Sequence, residues 1–115
     1  MDFYYHDTDN GLLVLTADGG LNAQTADQFV KELEKIIDSG IHRLIVDCSK
    51  LEYVSSYGVA VLIRLHKRLK KHGGDVKLAS IHSRVVELLS LMRVDTFFDI
   101  YADVDRARLA FRAPS

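Results

Sequence analysis

Arg43-Leu44-Ile45-Val46-Asp47-Cys48 is followed, after Leu51-Glu52-Tyr53, by Val54-Ser55-Ser56-Tyr57-Gly58, and then by Val59-Ala60-Val61-Leu62-Ile63-Arg64-Leu65-His66-Lys67-Arg68-Leu69-Lys70-Lys71-His72, which Gly73-Gly74 ends. The first segment is a short apolar run of the kind that forms a buried strand, and the last carries its apolar residues at helical spacing. Ser55 and Ser56 fall where that helix begins. The first N–H groups of a helix have no intrahelical acceptor, so a serine oxygen there acts as a cap. A phosphate at the same place would meet free N–H donors and the positive end of the helix dipole. The two hydroxyls therefore read either as simple caps or as the site of a covalent switch.

The same alternation extends outward. Phe3 to His6 reads as a strand, Asp9-Asn10-Gly11 as a turn, and Leu12 to Ala17 as a second strand of a hairpin. Asn22 or Thr25 caps a helix whose apolar positions Ala26, Phe29, Leu33, Ile36 and Ile37 follow the 3.6-residue period, and Gly40 ends it. Beyond the central unit, Val76 to Ala79 reads as a strand and Ser83 as the cap of a helix carrying Val85, Val86, Leu88, Leu89 and Met92. Phe97 to Tyr101 reads as a last strand, and Val104 to Phe111 as a final helix with Asp103 as its cap. Strands that alternate with helices need crossover connections. The expected fold is α/β, with a mostly parallel (mixed) sheet of four to five strands, about four helices, and the helices mainly on one face.

The chain of 115 residues has a single proline, Pro114, and no linker composition, so residues 1–115 read as one domain. Its 48% apolar and 27% charged residues are ordinary for a soluble protein, and a net charge of −1 gives no bulk attraction to nucleic acid or acidic membranes. Cys48 alone precludes an internal disulfide and suits a reducing compartment. The N-terminus lacks a signal-peptide pattern and no window approaches a membrane span. A cytoplasmic location is expected, without membrane insertion.

Taken together, these segments resemble the STAS domain family, and most closely its bacterial anti-sigma-factor antagonists. The resemblance rests on Leu44 to Ser49, on Leu51-Glu52-Tyr53-Val54 leading into Ser55-Ser56-Tyr57-Gly58, and on Lys70 to Leu78. Val85 to Leu89, Phe97 to Tyr101, and Gly19-Gly20-Leu21-Asn22 with Thr25-Ala26 extend it over nearly the whole chain. It implies a STAS-like fold and a role in partner switching. The unphosphorylated protein would bind an anti-sigma factor that is also a serine protein kinase, phosphorylation would release it, and a PP2C-like phosphatase would reset it. The resemblance makes Ser56 the phosphoacceptor, with Ser55 the alternative, and puts Asn22, Ser55, Ser56, Tyr57 and Gly58 on the partner-binding surface. Two departures from the family pattern involve three positions. Gly20 and Asn22 stand where an acidic pair is usual, and Ser55 stands where an Asp often precedes the acceptor.

The residues themselves supply no catalyst for that phosphorylation. A serine hydroxyl is a poor nucleophile, and no phosphate-binding loop or kinase signature is present, so the chain reads as a substrate and binding partner and not as an enzyme. A hydrolase elbow would need a glycine where Val54 stands. His6, His42, His66, His72 and His82 show no i,i+4 pairing, so no metal or other cofactor is expected. Tyr57 reads either as an exposed anchor or as a ring packed on the sheet edge. Arg64, Lys67, Arg68, Lys70 and Lys71 read as a solvated basic face or as a site for an acidic partner, with no aromatic interleaving that would suggest nucleic acid. Other functions open to the same residues are an adaptor subunit of a transport or sensory complex without a working phosphoswitch, and a domain binding a phosphorylated small molecule.

Overall fold

The computed structural model describes residues 1–7 and 11–112, so Asp9 and Asn10 of the expected turn and Pro114 lie outside the described residues. Six strands and four α-helices are found among these residues, in the order β1 (Asp2–Asp7), β2 (Leu12–Leu21), α1 (Ala26–Asp38), β3 (Arg43–Asp47), β4 (Leu51–Val54), α2 (Ser56–Lys71), β5 (Asp75–Ala79), α3 (Ser83–Leu91), β6 (Asp99–Tyr101) and α4 (Val104–Arg112). The strands form one mixed sheet in the order β1-β2-β3-β5-β6, with β4 pairing on β2. Only β1 runs antiparallel, Phe3 opposite Ala17 and Tyr5 opposite Leu15. The crossover helices make the remaining pairings parallel.

Alternation along the strands divides the core in two. Leu13, Leu15, Leu44, Val46, Val76 and Leu78 turn toward α1, α2 and α3, where Phe29, Leu33, Leu62, Leu65, Leu69 and Leu89 complete a continuous apolar interior. Leu12, Val14, Ile45 and Ala79 point the other way and are covered by α4 through Ala107, Val104 and Phe111. Three helices thus lie on one face and the last helix on the other.

Several boundaries differ from the sequence reading. The sheet has six strands, one more than the upper expectation, because Leu51–Val54 pairs with the far end of β2. For the same reason β2 continues past Ala17 to Leu21, with a register irregularity between Gly19 and Gly20. The expected strand at Phe97 begins only at Asp99, after a 3-10 turn at Asp95–Phe97. The rings of Phe97 and Phe98 turn onto His66 of α2, with centroids 4.6 and 6.1 Å away. Ser83 is the first residue of α3, and the extended residue at the cap position is His82. Asp103 does cap α4, its Oδ1 accepting from the N–H of Arg106 at 2.8 Å.

The exit of α2 is closely bonded. Gly74 N–H donates to the Leu69 carbonyl at 2.8 Å, and Gly73 takes a positive φ of 77°. The next residue, Asp75, gathers two ammonium groups and an imidazole, with Lys77 Nζ at 3.3 Å, Lys70 Nζ at 3.5 Å and His66 Nε2 at 3.8 Å. Lys77 also meets Asp99 at 3.1 Å and lies over the Phe111 ring of α4, 4.7 Å from its centroid. Burial works against the Lys77 ammonium, but the hydrogen bonds and charges of Asp99 and Asp75 outweigh it and raise its pKa above the ordinary 10.5.

Candidate functional site

The site forms where the far end of β2 meets the start of α2. Ser55 is extended, with φ −82° and ψ 170°, and occupies the N-cap of α2. Its N–H donates to the Leu21 carbonyl at 2.8 Å, and its hydroxyl oxygen accepts from the N–H of Gly58 at 3.2 Å. Gly58 is buried, and a Cβ there would come within 2.8 Å of both the carbonyl oxygen and the side chain of Leu21. Only a glycine lets the first turn of α2 press this closely on β2. The helix start is therefore fixed to the strand by a backbone bond and by direct packing.

Ser56 is the first residue of α2 and is exposed. Its hydroxyl makes no hydrogen bond among the described residues, and the N–H groups of Ser56 and Tyr57 find no acceptor there. The two serines differ in kind: Ser55 holds the helix, and Ser56 is uncommitted. The first turn of α2 contains no acidic residue to offset its dipole, whereas Arg68, Lys70 and Lys71 occupy the last turn. Of the two readings of Tyr57, the ring is 53% exposed, as an accessible side chain and not one packed on the sheet edge.

Asn22 begins the loop from β2 into α1. Its Oδ1 accepts from Gln24 and Thr25 N–H at 2.9 and 3.1 Å, while Thr25 Oγ1 accepts from Asn22 N–H and donates to the Gly20 carbonyl. Thr25 stands at the N-cap position of α1 with a helical backbone and gives no side-chain cap. Asn22 Nδ2 donates to the hydroxyl of Tyr53 at 2.6 Å. The ring of Tyr53 lies against Gly20, where a Cβ would fall inside the ring's van der Waals surface. The fold thus joins Asn22 to the serines through Leu21 and Ser55, and adds Tyr53, which the sequence reading had left within the approach to the serines. Its neighbour Glu52 is also exposed, so alternation gave no signal for Tyr53.

Other reactive groups lie elsewhere. Cys48 is buried, and burial, reinforced by the charge of Asp47, pushes its thiol up to about 12. Such a thiol is neither a nucleophile nor a ready metal ligand at neutral pH. Among the described residues no three His, Cys, Asp or Glu side chains converge as metal ligands, and no helix is long and apolar enough to cross a membrane.

The STAS domain model matches residues 6–107, and the chain belongs to the STAS domain family. A relative in Bordetella bronchiseptica, BtrV, named as a candidate anti-sigma factor antagonist, is 27% identical over 103 residues, covering 90% of this chain and 89% of its own. The crystal structure of a Thermotoga maritima protein with the same designation superposes with a TM-score of 0.90 at 25% identity, covering 96% of this chain and 95% of that one. The Bacillus cell fate determinant SpoIIAA, in its phosphorylated form, shares the fold with a TM-score of 0.74 at 15% identity over 96% of this chain and 99% of its own.

Proposed function

We propose that this chain is an anti-sigma-factor antagonist that works by partner switching, with Ser56 as its phosphoacceptor. The reading rests on the division of labour between the serines: Ser55 satisfies the helix and Ser56 is exposed with an uncommitted hydroxyl. A kinase can take the Ser56 hydroxyl without first breaking an internal bond. The product would add about −1.5 to −2 charges beside N–H groups that have no acceptor among the described residues, so the fold tolerates it. A partner that covers the same surface would have to desolvate that charge, and the complex dissociates. The chain is then substrate and ligand of an anti-sigma factor that is a serine protein kinase, and substrate of a PP2C-like phosphatase. Asn22, Tyr57 and the packing at Gly58 contribute to the docking surface.

The test is to incubate the chain with ATP and an anti-sigma-factor serine kinase from the same organism, and to map phosphate by mass spectrometry of tryptic peptides. Phosphate is expected on Ser56, Ser55→Ala should still be labelled, and Ser56→Ala should bind the kinase unlabelled. Ser56→Asp should bind it more weakly. Label on Ser55 alone, or equal affinity of wild type and Ser56→Asp, would refute the switch.

A further inference from the structure

The residues around Ser56 include an exposed aromatic ring that the fold holds in one orientation. We propose that Tyr53 is the anchor by which the partner kinase grips this chain, inserted into an uncharged, largely apolar pocket of that kinase. The inference rests on the partner-switching reading of the same site and names the chemistry of its recognition.

Three observations carry it. The Tyr53 ring is 50% exposed although it lies on Gly20, where any side chain would collide with it. Its hydroxyl bonds to Asn22 Nδ2 at 2.6 Å, and Asn22 is itself fixed by Gln24 and Thr25. Tyr53 is also two residues from the cap Ser55, whose backbone is tied to Leu21, so the ring and the acceptor are held on one rigid frame. An exposed aromatic with few torsions, already oriented before contact, loses little entropy on binding and is the typical energetic centre of an interface.

The chemistry of the pocket follows from the cluster. Gly20, Asn22, Tyr53, Ser55, Ser56 and Tyr57 carry no charge, so the complementary surface has no ion pair to form at its centre. Tyr53 also walls a groove of about 400 Å³ whose far side is the first turn of α3, His82 to Val85. That leaves room on the second side of the ring for a partner side chain. Glu52 and Arg84 lie at the margin, where charges tune association more than affinity.

The experiment measures steady-state phosphorylation by the same serine kinase. Tyr53→Ala should raise KM about tenfold or more while kcat stays within about twofold, because the ring binds and does not react. Gly20→Ala should do the same by displacing the ring, and the double variant should be no worse than either alone. Tyr53→Phe should fall between, since it keeps the ring and loses the Asn22 bond. Unchanged KM in Tyr53→Ala, or additive losses in the double variant, would overturn the anchor while leaving the switch intact. A wild-type chain unlabelled on Ser56 would instead overturn the switch, and the anchor with it. Circular dichroism of each variant establishes that the fold is retained.

Discussion

The two ends of α2 are built on opposite principles. At the exit, the Gly74 N–H reaches back to Leu69, two lysines and the His66 imidazole converge on Asp75, and three basic residues complement the helix dipole. At the entrance, among the described residues, one serine caps one N–H, two N–H groups lack acceptors, a neighbouring hydroxyl is unused, and the first turn carries no acidic residue to offset the dipole. The contrast teaches where the molecule has room for a new negative charge. The exit is saturated; the entrance is not.

The largest expected effect is at the exit. Gly74 lies directly on the carbonyl of His42, so the methyl of Gly74→Ala would meet backbone that cannot rotate away. A loss of about 3 kcal/mol is expected, read as a lower urea midpoint. An unchanged midpoint would show that the exit is less rigid than the entrance.

Next in size is Lys77→Met, which keeps much of the buried stem and removes the ammonium between Asp75 and Asp99. It should cost about 2 kcal/mol at neutral pH. Because the folded state raises the Lys77 pKa, this contribution is fully present below 10.5 and is lost as pH rises through the higher folded value. The stability gap between wild type and variant should therefore close only in the alkaline range above 10.5. A gap that closes near neutrality would point to a different group.

The entrance should respond more gently and unequally. Ser55→Ala removes the cap and should cost about 1 kcal/mol. Ser56→Asp should stabilise by about 0.3–1 kcal/mol at low salt, since a carboxylate complements the bare dipole, and the gain should fade as salt is added. Matching chemical-denaturation curves for the two variants would erase the distinction between cap and acceptor.

Much of this was legible in the sequence. The 3.6-residue spacing of Ala26, Phe29, Leu33, Ile36 and Ile37 and the apolar runs of β3 and β5 correspond to elements of the fold, and all five of those α1 residues are buried. What escaped depended on distant partners. Leu51–Val54 is four residues long and exposes its two central side chains, so only its pairing with Gly19–Leu21 makes it a strand. Likewise, periodicity cannot tell which of two adjacent serines caps a helix. The choice depends on the extended backbone of Ser55, fixed by the carbonyl of Leu21. The placement of Tyr53 escaped for the same reason, since its ring lies against a glycine 33 positions earlier on another strand.

β2 joins three other strands of the sheet. It pairs with β1 along one edge, with β3 over its first half and with β4 over its second. The strand that centres the hydrophobic interior therefore also carries the carbonyl that holds Ser55. In hydrogen-exchange terms, the amides of Val14, Leu15 and Thr16 should be released only by global unfolding, while those of Ser56 and Tyr57, which have no acceptor among the described residues, should exchange almost freely. Slow exchange would then lie at the start of β2 and fast exchange beside its last carbonyl, so the first turn of α2 can open without loosening the strand that anchors the sheet.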